Sequence, residues 1–238
     1  MTESTRTEER ARGARRPDGP HLGALAIVTW ALTMLGLALG ALLSGGAALG
    51  SPFVPADDLV ARYQEHWAAV RLAAWLQLGS AIPLGIYAAT AYARLLRLGV
   101  RVPGPGIGFY GGILASTSLV ASAALQWTLS RPEVTADATT TQALAFTSFL
   151  LGGVGFVVGL GLLIAGIAVP ALILRLLPRW LAWTGLVIAA LAELAFVSMV
   201  FEPLQVLLPI GRFGGLLWLI VAGFLLPHHR APRNADAT

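Results

Sequence analysis

Long apolar blocks alternate with short polar ones along most of this chain. Blocks at about Leu22 to Leu43, Trp67 to Ala93, Ile107 to Trp127, Leu144 to Val169, Trp180 to Val200 and Leu207 to Leu226 stand out. Each approaches or exceeds the roughly 20 residues that cross a bilayer as a helix. The pattern predicts an all-α fold, a polytopic transmembrane bundle of six helices. Residues 1–21 are predicted as a disordered tail, 22–226 as the six-span domain and 227–238 as a second tail. The first tail mixes Arg6, Arg10, Arg12, Arg15 and Arg16 with acidic residues and has no apolar period. The apolar block that follows is too long for the core of a cleaved signal.

The polar intervals refine this layout. Ser51-Pro52-Phe53-Val54-Pro55 reads as an extended loop. After it, Asp57 and Asp58 suit the first turn of a helix, and Leu59, Val60, Tyr63 and Trp67 share one face. This predicts a short outer amphipathic helix near residues 57–66. Pro83 lies inside the second span and should kink it. Pro103-Gly104-Pro105-Gly106 reads as a turn, the run Thr139 to Thr141 as a lead into the fourth span, and Glu202-Pro203 as a tight outer turn.

Charge sets the orientation. The first tail, the second loop, the fourth loop and the last tail hold 5, 3, 2 and 2 arginines, whereas the other loops hold only Arg62 and Arg131. By the positive-inside rule both ends are cytoplasmic. Asp57, Asp58, Glu65, Glu133, Asp137 and Glu202 then fall outside. Trp67 and Trp127 at one boundary, with Trp180 and Trp183 at the other, suit aromatic belts. The expected location is a bacterial plasma membrane.

Composition narrows the chemistry. Of 238 residues 56% are hydrophobic and 12% charged, so little polar surface is left to face water. All 16 basic residues are arginine, which with the alanine, glycine and leucine content reads as high-GC genome bias. The net charge of +4 belongs to loops and tails beside apolar runs, so membrane orientation explains it better than nucleic acid binding does. There is no cysteine, which excludes disulfides and thiolate chemistry. No metal site or cofactor is expected, since His228-His229 alone defines none. No catalytic residue is predicted: no serine has a convincing histidine and aspartate context, and no paired-carboxylate motif of an isoprenoid enzyme occurs.

A few polar side chains fall inside the apolar blocks. Glu193 should lie roughly 13 Å from the turn at Glu202, from nine residues at the helical rise. Arg212 enters the sixth span from that turn and reaches a similar depth. A charge in the bilayer costs several kcal/mol unless paired or hydrated. Pairing of Glu193 with Arg212 is therefore the first reading. It implies that Glu193→Gln alone destabilises more than the double change with Arg212→Gln. A functional polar site competes with it, because a buried Glu can relay a proton and an Arg can bind a carboxylate or phosphate. Arg71, Gln77, Gln126 and Glu202 fall in the same outer half. With Glu193 and Arg212 they make a candidate polar cavity open to the outside, with Arg71 expected to snorkel outward. Gly152, Gly155, Gly159 and Gly166 lie along one stripe of the fourth span and suit close helix packing.

Leu177-Pro178-Arg179-Trp180-Leu181-Ala182-Trp183-Thr184-Gly185 and Arg212-Phe213-Gly214-Gly215-Leu216-Leu217-Trp218-Leu219-Ile220 resemble a pattern in multi-pass membrane proteins of high-GC bacteria. The chain is similar to the group filed as domain of unknown function 4386. The resemblance implies the six-span layout and a recurring turn-and-span motif that includes Arg212. It implies no catalytic residue.

Three functional expectations follow. The first is a non-enzymatic protein whose outer-facing pocket binds, senses or moves a small amphiphilic or anionic molecule. The second is an intramembrane enzyme on a lipid or isoprenoid, with Glu193 as acid. The third is an accessory subunit that docks a partner through its glycine stripe. The lipid bilayer is the one partner expected in every case, and the oligomeric state is left open.

Overall fold

The computed structural model describes residues 19–46 and 51–228. The expected tails, 1–21 and 227–238, lie almost wholly outside the described residues. Those residues form seven helices and no strand. They are α1 (Leu22–Leu43), α2 (Ala56–Glu65), α3 (Trp67–Arg97), α4 (Gly104–Leu129), α5 (Ala138–Ile173), α6 (Arg179–Met199) and α7 (Glu202–Leu225). All but α2 are long and apolar enough to cross a membrane. The chain is a helical bundle with six helices of spanning length, and because that number is even its described ends meet at one end of it. There the ring of His21 lies 6.3 Å from that of His228. This is called the termini end below, and the end carrying α2 the far end.

Helix starts differ from the sequence reading in two places. The Pro-Gly-Pro-Gly segment is the first turn of α4 rather than a separate loop. A proline there loses only an N–H that would have had no helical partner. The threonine run is helical as well. Asp137 caps α5, its Oδ2 accepting from the Thr140 N–H at 2.7 Å. Hydrogen bonding from Thr140, by its side chain first and then its backbone N–H, holds the exposed Asp137 carboxyl below its usual range. Pro83 and Pro170 both sit inside continuous helices.

The bundle is assembled on small residues. The glycine stripe of α5 packs against a matching stripe of α4. A side-chain carbon added at Gly159 would lie 2.5 Å from the Ala115 nitrogen, and one at Gly155 3.0 Å from Ser118 Oγ. At Gly166 it would strike the Gly108 backbone, and at Gly152 Ser122 Oγ. On α4, Gly104, Gly108, Gly111, Ala115, Ser118 and Ser122 recur at alternating spacings of four and three. That is the period of two helices in close, slightly crossed contact. The stripe is thus consumed inside the bundle.

Polar side chains at the termini end are satisfied by helix carbonyls. Tyr87 Oη donates to Leu219 O at 3.1 Å and Trp218 Nε1 to Leu181 O at 2.8 Å. Arg94, read from sequence as a loop arginine, is only 1% exposed. Its Nη1 donates to Leu226 O at 3.5 Å, at the C-terminus of α7, where a cation suits the helix dipole. Trp180 and Trp183 are exposed at this end and Trp67 and Trp127 at the other, as two aromatic belts would be.

At the far end α2 lies across the mouth of the bundle. Leu59 and Tyr63 turn inward against Val70, Leu129 and Ala145, whereas Trp67 turns outward. Gln64 Nε2 ties α2 to the α4–α5 loop by donating to Thr135 O at 3.0 Å. Burial pushes the Tyr63 phenol up to about 12.

Candidate functional site

Beneath α2 the helices part around a cavity of about 520 Å³. Its walls come from the far halves of α1, α3, α4, α5 and α7, and Ser51 and Tyr63 line it toward the far end. One wall is polar. Gln126 Nε2 donates to Gln77 Oε1 at 3.3 Å, and Gln77 Nε2 donates to Leu119 O at 3.4 Å. Ser122 Oγ donates to Ser148 O at 2.9 Å. The α1 side is mainly apolar, with Leu32, Gly36, Leu37 and Ala41 beside Thr33, whose hydroxyl donates to Thr29 O at 2.8 Å.

Arg212 supplies the only charged side chain among the described lining residues. Its Nη2 donates to Gly152 O, and its Cζ stands 4.9 Å over the Phe156 ring. Both backbones at this contact are π-helical, over Leu150–Gly155 in α5 and Ile210–Gly214 in α7. A π turn disrupts the usual i to i−4 ladder, and such turns cluster at functional sites. Here a carbonyl of one π turn receives a guanidinium carried by the other. Arg212 retains further N–H groups. Among the described residues no carboxylate lies within ion-pair distance of it.

The expected Glu193–Arg212 pair is therefore not formed. Gly211 packs directly on Ala192, where an added side-chain carbon would lie 3.3 Å from Ala192 Cβ. That contact puts Glu193 and Arg212 at one level but aims them at different parts of α5. Glu193 Oε1 sits over Gly161, 2.8 Å from where a side-chain carbon would be, whereas Arg212 reaches Gly152 and Phe156. Gly152 and Gly161 are nine residues apart, on the order of 13 Å along a helix. Glu193 Oε1 is buried with no hydrogen-bond partner.

Of the six polar residues expected to share a cavity, the structure brings together Gln77, Gln126 and Arg212. Arg71 turns to the far-end surface instead, its guanidinium 4.7 Å over the Trp67 ring and its Nε donating to Ser130 Oγ at 3.3 Å. Glu202 is exposed in the first turn of α7. Glu193 lies against Gly161 of α5, outside the cavity lining. The sequence reading missed Ser80, Ser122, Ser148, Phe156 and the roof residue Tyr63. A faint signal existed for one of them, because Ser118, Ser122 and Gln126 recur every fourth residue on one face of α4. Comparison with models of known protein families, with curated proteins and with solved structures finds no match.

Proposed function

We propose that this protein binds a small amphiphilic or anionic molecule in the far-end cavity. The observation that carries this reading is Arg212, a guanidinium in the wall of a membrane-embedded cavity with no carboxylate beside it among the described residues. A cation in the bilayer is held by an anion, by water or by backbone carbonyls. One carbonyl is present, that of Gly152. The remaining donors suit a carboxylate, phosphate or sulfate headgroup. Gln77 and Gln126 add amides to the same wall, and the apolar α1 side suits a hydrocarbon portion. The volume falls in the ordinary range for small-molecule pockets.

The described lining holds a cation, amides and hydroxyls, and no carboxylate or imidazole. That set favours binding over acid–base turnover. Glu193, the expected acid of an enzyme, lies outside it. The arginine balance of the loops supports cytoplasmic termini in a bacterial plasma membrane, with the cavity in the outer half. The resemblance to the domain of unknown function 4386 group belongs to the same proposal and gives Arg212 a place in a recurring motif.

Calorimetric titration of decanoate into the purified protein in a non-ionic detergent tests the reading. Arg212→Gln should weaken binding about tenfold or more, roughly 1.4 kcal/mol. Gln126→Leu, which leaves the Gly152 contact in place, should weaken it less. Equal affinities in wild type and both variants would sink the proposal. Orientation is checked in the same preparation series by Glu133→Cys, which an impermeant maleimide should label in intact cells.

A further inference from the structure

The cavity has two conceivable entrances, and charge and packing distinguish them. Tyr63 and Ser51 line the cavity at the aqueous far end, where Tyr63 is buried against the bundle. The far-end surface carries Asp57, Asp58, Glu65, Glu133, Asp137 and Glu202 against Arg62, Arg71 and Arg131. Such a surface carries a negative potential that repels an approaching anion. The group best suited to Arg212 is thus disfavoured at the water-facing mouth.

The side entrance lies between α1 and α7. These helices are tightly joined at the termini end, where a side-chain carbon on Gly223 would lie 2.7 Å from the Gly23 nitrogen and the His21 and Phe224 rings are 5.0 Å apart. There α1 packs against the Gly215–Leu225 segment of α7 rather than Leu207–Gly214. Farther along, α1 offers Gly36, Leu37 and Gly40, and α7 offers Pro209, Arg212 and Phe213, as separate walls of the cavity. Leu37 is also 48% exposed, so this part of α1 faces both the cavity and the hydrocarbon. Of the six spans α1 is the least buried.

We infer that the cavity takes a single-chain anionic amphiphile directly from the bilayer, entering sideways between the far halves of α1 and α7. The headgroup meets Arg212, Gln77 and Gln126, and the chain lies along Leu32, Leu37 and Ala41. A ligand already in the membrane bypasses the acidic mouth, and its hydrocarbon never leaves an apolar surface. The inference rests on the anion-binding reading above and adds the ligand's physical class and its route.

The test uses the full chain reconstituted in phosphatidylcholine vesicles, with palmitate carrying a terminal photoreactive diazirine as the probe and butyrate as a water-borne anion without a long chain. Labelled palmitate should cross-link to peptides of α1 or α7 that line the slot. Labelling should fall about tenfold in Arg212→Gln, from loss of the charge-assisted contact, and largely return in Arg212→Lys, which separates lost charge from lost folding. The double change Asp57→Asn with Asp58→Asn should leave the rate of palmitate labelling unchanged. Suppose instead that butyrate displaces the probe at low concentration and the double change speeds labelling. The water route is then the true one, and side entry falls while the anion site stands. If neither palmitate nor butyrate depends on Arg212, the anion site falls and the route with it.

Discussion

The two halves of α5 are built from the same kind of residue and do opposite things. Toward the termini end, Gly159 and Gly166 let the α4 backbone approach until no side chain fits between. Toward the far end, Gly153 borders a cavity, in a backbone widened into a π turn. Polar groups follow the same division. Tyr87 and Trp218 donate to helix carbonyls inside the packed half. Gln77, Gln126 and Arg212 face open volume in the other. Glycine along a membrane helix is thus not one signal. It marks a seam where a neighbour is close and a wall where neighbours have separated.

The same substitution at two glycines puts that contrast to its hardest test. Gly166→Ala drives a methyl into the Gly108 backbone, which cannot rotate away. Overpacking of this kind costs about 1–3 kcal/mol, and with backbone as the obstacle the upper figure is expected. Gly153→Ala meets only Leu208 Cδ1 at 3.6 Å and Phe149 Cζ at 4.0 Å, both ordinary contacts. There the gain in helix propensity, about 0.5–1 kcal/mol, should dominate. Thermal unfolding in detergent should move in opposite directions for the two variants. Equal losses at both positions would mean that the far half is as tightly packed as the near one.

A second effect, nearly as large at its limit, concerns the roof. The Tyr63 phenol is pushed up to about 12 by burial, against about 10 in an unfolded chain. The folded state therefore holds the proton more tightly. The associated stability is complete below pH 10 and is lost as pH rises from there through about 12, by up to about 3 kcal/mol. The effect should belong to α2 and its docking. The phenolate absorbance lost in Tyr63→Phe should have its midpoint near 12. A midpoint near 10 would show that the roof is open to water and that the Tyr63 phenol is not buried against the bundle.

How much of this was readable beforehand depends on which interaction decides each feature. The spans are decided by runs of apolar residues, which are visible in one dimension. The stripe Gly152, Gly155, Gly159 and Gly166 was visible too, because a helix turns the spacing into a face. Gln77, Gln126 and Arg212 stood out as isolated polar groups in apolar blocks. The direction of Glu193 was hidden, since it depends on how α6 rotates against α7 at the Ala192–Gly211 contact. Arg94 was misread because an arginine three residues from a helix end looks like a loop residue, whereas the end of α7 packs over it. The π turns were also out of reach. No spacing distinguishes Leu150-Leu151-Gly152-Gly153-Val154-Gly155 from ordinary glycine-rich helix.

The smallest expected effect bears on Glu193, and it separates the two polar groups that looked like a pair. Were they paired, Glu193→Gln would strand a buried guanidinium and cost several kcal/mol. The structure places Glu193 over Gly161 with one carboxyl oxygen unpartnered, and Arg212 on the Gly152 carbonyl. Glu193→Gln then removes no ion pair and exchanges one ill-satisfied group for another without a formal charge. Its effect on unfolding should stay within about 1 kcal/mol, with stabilisation as readily expected as loss. Combined with Arg212→Gln, the two effects should add to within about 0.5 kcal/mol, as independent sites do. A coupling energy of 2 kcal/mol or so would restore the ion pair, supply Arg212 with its anion from within the chain, and remove the reason for the cavity to bind one from outside.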